Sequence, residues 1–105
     1  EKNETLSVIV GDAFDIDPDK VFDEGHFDVL LVDVTTDVKG TLELITSYCP
    51  VLKVGGMLIV AFKSDTTTEN RKRLVKKVQS IGFHSLKAVI LDKSTQEIHV
   101  VGKRQ

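Results

Sequence analysis

The alternation of short hydrophobic runs with helical patterns is the feature that most constrains the fold of this 105-residue chain. Residues 27–33 (FDVLLVD) and 57–63 (MLIVAFK) are nearly continuous in hydrophobicity, as expected of strands covered on both faces. Between them, residues 38–52 carry apolar side chains at three- and four-residue steps, which predicts a helix. The KVGG segment, residues 53–56, is expected to end that helix before the next strand.

The second half of the chain predicts another helix and two strands. Residues 64–83 resemble a capped helix, with a threonine or Asp65 at its N-terminus. Residues 85–92 and 97–103 are two further hydrophobic runs separated by a short polar turn, which predicts an antiparallel hairpin. The inner face of the helix is expected to carry three apolar residues: Leu74, Val78 and Ile81.

The full order of elements predicts an α/β fold. Residues 6–14 (LSVIVGDAF) add a strand at the start, so the order is strand, loop, strand, helix, strand, helix, strand, strand. This order favours a Rossmann-like open, mostly parallel sheet with a C-terminal antiparallel strand pair. Ligands of such sheets bind beyond the carboxyl ends of the strands. Because Asp12, Asp33 and Lys63 stand at those ends, we expect them at one edge of the sheet.

Length and net charge limit the number of domains and the kinds of partner that the chain can bind. The length fits a single domain over residues 1–105. A net charge of −2 provides no general attraction to nucleic acid, so an RNA partner would need a local patch. Residues 71–77 (RKRLVKK) offer one, either as a phosphate-contacting face or as a solvated helix surface.

Cysteine content, hydrophobic run length and histidine spacing indicate the compartment of the protein and whether membrane or metal binding is expected. The lone Cys49 excludes an internal disulfide and fits a reducing compartment, which predicts an intracellular protein, cytoplasmic or, in a eukaryote, nuclear. No hydrophobic run approaches the length of a membrane span, so no membrane partner is expected. The three histidines lack the spacing of metal ligands, and no metal site is predicted.

Four ordered motifs resemble the C-terminal half of a class I S-adenosylmethionine-dependent methyltransferase. They are VGDAF, FDVLLVD, LKVGGMLIVAFK and LVKKVQSIGF, followed by a final strand pair. Within that superfamily the chain is most similar to fibrillarin-like RNA 2′-O-methyltransferases, through Asp12-Ala13, Pro18, Asp33-Val34 and Lys63. The family's N-terminal strands and glycine-rich loop have no counterpart in the sequence. The resemblance therefore implies that residues 1–105 are the C-terminal part of a methyltransferase domain, inactive in isolation.

The resemblance also implies a cofactor and a set of site residues. Asp12, Ala13 and Asp33 are expected to bind S-adenosylmethionine, and Asp33, Lys63 and Glu97 to be catalytic. A lysine held near carboxylates serves as a base or as electrostatic support for a reacting ribose hydroxyl. Each residue also has a non-catalytic alternative: Lys63 as a solvated strand-end lysine, Asp33 as a helix N-cap or turn residue, and Glu97 as a surface residue. One departure is the TTD that follows Asp33-Val34, where fibrillarin has alanine-glutamine-proline.

The implied function is methylation of the ribose 2′-hydroxyl of RNA, including ribosomal RNA during its processing. A non-catalytic α/β module is the alternative. Such a module would use its sheet for packing, or would dock a protein partner at an exposed sheet edge.

Overall fold

The computed structural model describes residues 25, 27–34, 36–90, 94 and 96–105. The predicted strand over residues 6–14 lies outside these residues, and so do the predicted site residues Asp12 and Ala13. Within the described part of the chain, four strands form one sheet and two helices pack against it, so the fold has two layers.

The elements follow the predicted alternation. In chain order they are β1 (Phe27–Val32), α1 (Val38–Tyr48), a 3-10 turn (Cys49–Val51), β2 (Leu52–Lys63), α2 (Thr68–Gly82), β3 (Phe83–Val89) and β4 (Glu97–Arg104). The strand order across the sheet is β1-β2-β4-β3. β1 and β2 are parallel, whereas β4 is antiparallel to both of its neighbours. β1, β2 and β3 therefore share one direction, and the predicted α/β sheet with a C-terminal antiparallel pair is confirmed.

The first helix is shorter than predicted. α1 ends at Tyr48, and the chain passes through a 3-10 turn that contains Pro50. Proline has no backbone N–H and cannot continue the i to i−4 hydrogen bonds of an α-helix. The prediction of a helix to Leu52 is therefore wrong, and the apolar Leu52 instead begins β2.

β2 begins five residues earlier than predicted because the KVGG segment belongs to the strand rather than to a turn before it. Leu52 pairs with Phe27, and after a bulge Met57 pairs with Val29. At Gly56 a Cβ atom would lie 2.7 Å from the carbonyl oxygen of Lys53, so glycine is required there by close backbone approach.

The core lies on one face of the sheet, beneath both helices. Side chains alternate between the two faces of a strand, and directly paired residues share a face. One apolar cluster joins the inner strand residues to the two helices: Leu30, Val32, Leu58, Val60, Phe62, Ile98 and Val100 with Leu44, Ile45, Leu74 and Val78. The opposite face is less covered. Leu31 is 57% exposed, so the prediction that both faces of β1 are covered is wrong at this residue.

The start of α2 is tied to the end of β2. The Thr67 hydroxyl caps the helix by accepting from the Asn70 amide at 3.2 Å, and Asp65 in turn accepts from the Thr67 hydroxyl at 2.9 Å. The buried Asn70 side chain donates to Ser64 Oγ at 2.6 Å. The threonine alternative for the cap is therefore confirmed, and α2 is held at the carboxyl end of β2.

Candidate functional site

Three of the predicted site residues meet at the carboxyl edge of the sheet. The Lys63 ammonium lies 3.1 Å from Asp33 Oδ1 and also contacts Glu97 Oε2. Lys63 ends β2, Glu97 begins β4, and the two residues are direct partners in the antiparallel register. Asp33 directly follows the last residue of β1.

Strand alternation explains why these side chains share a face. Each charged residue is one position away from a buried core residue: Val32, Phe62 and Ile98, respectively. Since neighbouring residues of a strand point to opposite faces, Asp33, Lys63 and Glu97 lie on the face away from α1 and α2. The buried residues thus fix the side on which the charged ones must meet.

His99 is a fourth member that sequence reasoning missed. Its Nε2 lies 3.2 Å from Glu97 Oε1, so Glu97 bridges His99 and Lys63 through its two oxygens. His99 Nδ1 is buried and has no hydrogen-bond partner among the described residues. A proton on Nδ1 would therefore be a buried donor without an acceptor, which favours the tautomer that carries its proton on Nε2, the nitrogen beside Glu97. The signal in the sequence was the two-residue spacing of Glu97 and His99, which places both on one strand face. We call Asp33, Lys63, Glu97 and His99 the rim cluster.

The electrostatics of the rim cluster keep Lys63 charged. The hydrogen bond that Lys63 donates to Glu97 raises the pKa of Lys63 above its ordinary value; partial burial lowers it, and contact with Asp33 raises it again. The net result is a raised pKa, so the ammonium form prevails at neutral pH. An ammonium has three N–H donors, of which Asp33 and Glu97 occupy two. No third acceptor contacts Lys63 among the residues that the structure describes, so one N–H remains for a further acceptor.

The cluster opens to solvent at its Asp33 end. The Asp33 side chain is 63% exposed, against 22% for Glu97. Asp33 uses only Oδ1 in its contact with Lys63, and its other oxygen makes no hydrogen bond to any described residue. The solvent-facing end of the rim cluster thus carries one carboxylate oxygen and one ammonium N–H that no described residue contacts. Among the described residues, no group of three or more His, Cys, Asp or Glu side chains is placed to hold a metal ion.

The fold is that of solved S-adenosylmethionine-dependent methyltransferases. The chain superimposes on the Methanococcus jannaschii fibrillarin pre-rRNA processing protein with a TM-score of 0.63 and 21% identity. It superimposes on a methyltransferase from Thermotoga maritima with a TM-score of 0.59 and 15% identity. The CurJ carbon methyltransferase gives a TM-score of 0.60 and 14% identity.

The chain accounts for only part of these structures. It is covered over 91%, 95% and 85% of its own length, but it spans 44%, 65% and 32% of the length of the fibrillarin, the Thermotoga protein and CurJ, respectively. No protein-family model and no curated protein matches the sequence. In the part of the chain that is described, no helix is both long and apolar enough to cross a membrane.

Proposed function

We propose that this chain supplies the substrate-facing part of an S-adenosylmethionine-dependent methyltransferase that modifies the ribose 2′-hydroxyl of RNA. One observation carries the proposal: in a methyltransferase fold, a lysine lies between two carboxylates at the carboxyl edge of the sheet. In α/β sheets of this kind ligands bind at that edge. The choice of RNA draws on the likeness to a fibrillarin, a pre-rRNA processing protein.

The charges of the rim cluster fit the cofactor. Two carboxylates and one ammonium leave a net charge of −1 when His99 is neutral, which attracts the positive sulfonium centre of S-adenosylmethionine. Asp33 is the described residue that would face the cofactor, and we assign Asp12 and Ala13 to the same role from the motif alone. When bound, S-adenosylmethionine supplies an electrophilic methyl group.

The rim cluster supplies the two functions that a ribose hydroxyl needs. The free N–H of Lys63 donates to the 2′-oxygen and stabilises the negative charge that develops on it. The free oxygen of Asp33 would accept the proton that the 2′-hydroxyl gives up when it is methylated. In-line attack then depends chiefly on how the hydroxyl is held.

Of the two roles considered for Lys63, base or electrostatic support, we assign it the second. A general base must be unprotonated, and the raised pKa of Lys63 opposes that state at neutral pH. We therefore assign Lys63 as electrostatic support and Asp33 as the base. Glu97 holds Lys63 in place, and His99 holds Glu97.

Methyl transfer by the complete encoded protein tests the proposal. Radiolabelled S-adenosylmethionine is supplied with a mixed-sequence oligoribonucleotide, and label is scored at sites that resist alkaline cleavage, the signature of a 2′-O-methyl group. Lys63→Met is expected to lower the rate by about 10²–10³-fold, the usual effect of removing one charge-stabilising donor. Asp33→Asn is expected to lower it comparably, by about 10²–10⁴-fold.

The matched control is Lys53→Met. Lys53 lies in the same strand, is 65% exposed and forms an ion pair with Asp28 at the other end of β2. Its replacement should change the rate less than about twofold, since it removes the same charge away from the rim cluster. Full activity of Lys63→Met, or equal labelling of an oligodeoxyribonucleotide of the same sequence, would rule out the proposed chemistry.

We further propose that residues 1–105 form the C-terminal part of the methyltransferase domain, in line with the share of each solved structure that they span. The sequence contains no Gly-x-Gly segment that could cradle the cofactor. In isothermal titration, the 105-residue chain is therefore expected to bind S-adenosylmethionine much more weakly than the complete encoded protein. Equal affinity of the two would contradict the half-site assignment.

A non-catalytic docking module remains the second candidate, supported by the exposed apolar side chains of the outer sheet face. Leu31 and Met57 are 57% and 39% exposed on neighbouring strands. Such side chains mark a surface that a protein partner could cover. Absence of methyl transfer, together with self-association that is lost in Leu31→Ser, would favour this function over the enzymatic one.

A further inference from the structure

The exposed surface of α2 is strongly basic, in contrast to the chain as a whole. Five of its residues between positions 71 and 77 are cationic, whereas the chain has a net charge of −2. These five are Arg71, Lys72, Arg73, Lys76 and Lys77. Within the described residues none of them forms an ion pair, so their charge is not neutralised locally.

A groove beside α2 gathers three of these cations. This α2–β3 groove has a volume of about 470 Å³. Its lining includes Thr68, Arg71, Lys72, Val75, Lys76 and Ala88. Among the described residues no acidic side chain lines it, so the side chains that do line it give it a positive charge.

Arg71 gives this groove an unused hydrogen-bond donor. One of its terminal nitrogens, Nη2, donates to Thr68 Oγ1 at 3.0 Å, whereas its Nε is buried and has no acceptor within the described part of the chain. A buried donor left without a partner costs about 1–3 kcal/mol, unlike a donor that water can reach. The guanidinium is thus held at the wall of the groove by Thr68 with one donor unsatisfied, and the side chain would have to turn for that donor to reach an anionic ligand.

The groove between α1 and α2 is a weaker candidate. It is larger, at about 840 Å³, and it contains Arg73 and Lys77, but Glu43 lies in its wall beside the apolar Leu42 and Ile81. Arg73 also donates to Asn70 Oδ1 within α2. The α1–α2 groove therefore carries charges of both signs, and none of its described lining residues has a buried donor without a partner.

The α2–β3 groove lies at the same edge of the sheet as the rim cluster. Thr68 is five residues beyond Lys63, at the start of a helix that is tied to the end of β2. Ala88 is near the carboxyl end of β3, which runs parallel to β2. β3 is two strands away from β2, a separation of about 10 Å. The rim cluster lies on the sheet face away from α2, so a nucleic-acid strand with one ribose at Lys63 would have to pass around this edge of the sheet to place another phosphate in the groove.

We infer that the α2–β3 groove is a contact site for the phosphodiester backbone of the RNA strand whose ribose enters the rim cluster; this rests on the proposed function. Arg71 and its two neighbouring lysines neutralise backbone phosphates without reading bases. The groove thus sets the position of the strand, and the rim cluster performs the chemistry on it.

Salt dependence of RNA binding tests this site without any methyl transfer. Fluorescence anisotropy of a labelled mixed-sequence oligoribonucleotide is measured against the complete encoded protein, in the absence of S-adenosylmethionine, from 50 to 300 mM salt. Each phosphate contact to a single strand contributes about 0.7 to the slope of log K against log salt. The double variant Lys72→Gln/Lys76→Gln should therefore flatten the slope by about 1.4, roughly a tenfold loss of affinity at 0.15 M salt.

A charge-matched double variant is the control. Lys53→Gln/Lys103→Gln removes the same charge from exposed positions at the opposite edge of the sheet and should leave the slope unchanged. Arg71→Lys keeps the charge but lacks the Nε donor, so we expect weaker binding with a nearly unchanged slope. Since Lys72 and Lys76 are exposed, their replacement should not alter the melting temperature.

The outcomes separate the groove from the proposed function. If the Lys72→Gln/Lys76→Gln variant shows the same salt slope as the wild type, the inferred phosphate contact at the groove is wrong, but the methyltransferase proposal still stands. A wild-type protein without salt-dependent RNA binding would overturn both the RNA substrate and the groove. If poly-glutamate binds with the same dependence on Lys72 and Lys76 and RNA does not, the groove serves an acidic protein partner, which also contradicts the inference.

Discussion

Replacement of Glu97 by glutamine should lower the pKa of Lys63 toward its ordinary value and destabilise the fold. Glu97 is the largest contributor to the raised pKa of Lys63, through a hydrogen bond between directly paired residues of β2 and β4. Glutamine keeps the shape and one oxygen but removes the negative charge. The change thus isolates the charge from the packing.

The exposures of the three side chains set the size of the effect. Lys63 is 36% exposed and Asp33 63%, so solvent screens their contact, whereas Glu97 is only 22% exposed. Surface ion pairs contribute about 0.2–1 kcal/mol, and we place the Glu97 pair near 1 and the Asp33 pair near 0.3. In a domain of this size, about 1 kcal/mol shifts the melting temperature by roughly 4–8 °C. Glu97→Gln should therefore cost about three times as much stability as Asp33→Asn.

The sign of the pH dependence follows from the direction of the shift. The pKa of Lys63 is higher in the folded chain than its ordinary value of 10.5. The stabilisation is therefore fully present below pH 10.5 and is lost as the pH rises through the folded-state pKa. The difference in unfolding free energy between wild type and Glu97→Gln should accordingly persist from pH 7 to 10 and close at higher pH.

Two measurements check this prediction. Titration of the Lys63 side chain by NMR, with labelled lysine, gives its pKa in wild type and variant, and urea unfolding gives the free energy. The control is Glu43→Gln, an exposed position on α1 without an ion pair to any described residue. An unchanged Lys63 pKa in Glu97→Gln, or a stability loss no larger than that of Glu43→Gln, would refute the reasoning.

Two further substitutions probe positions around the rim cluster and within the sheet. His99→Phe removes the ring nitrogen that contacts Glu97 and should lower the unfolding free energy by about 1 kcal/mol, whereas His99→Gln keeps a donor near the position of Nε2 and should recover most of it by urea unfolding. Equal losses would mean that the contact with Glu97 does not stabilise the fold. Gly56→Ala would bring a Cβ atom within 2.9 Å of the Asp28 carbonyl oxygen and 2.7 Å of that of Lys53, so thermal melting should reveal a loss of about 1–3 kcal/mol; an unchanged melting temperature would mean that β1 and β2 approach less closely there.

Most of the features that were predicted correctly depend on local sequence patterns. The capped α2 and its inner face, the antiparallel β3–β4 pair and the α/β class all depend on patterns within 10–20 residues, and the structure confirms them. The errors also have local causes. Periodicity continued through Pro50 to Leu52, but the missing N–H of proline ended α1 at Tyr48. The glycines of KVGG suggested a turn, although both lie within β2: Gly55 adopts a positive φ of 83°, and Gly56 allows the close approach of the Lys53 and Asp28 carbonyl oxygens.

The separation of roles within the rim cluster required the tertiary structure. From sequence, Lys63 was either a base or an electrostatic support, because its charge state depends on neighbours 30 or more positions away along the chain. The contact with Glu97 raises the pKa of Lys63, and on that basis we propose that the lysine acts in its charged form. His99 entered the cluster only when its Nε2 was placed beside Glu97.

The sequence by itself determined which face of each strand carries charge, because side-chain alternation puts Asp33, Lys63 and Glu97 opposite their buried neighbours. Only the tertiary structure decided that these strand ends meet. The insertion of β4 between β2 and β3 makes Glu97 the direct partner of Lys63. Had the final hairpin joined the sheet through β3 instead, Glu97 would stand about 10 Å from Lys63, beyond hydrogen-bonding reach. Strand order is a non-local property, set by how the whole sheet buries its apolar face, and the candidate site depends on it.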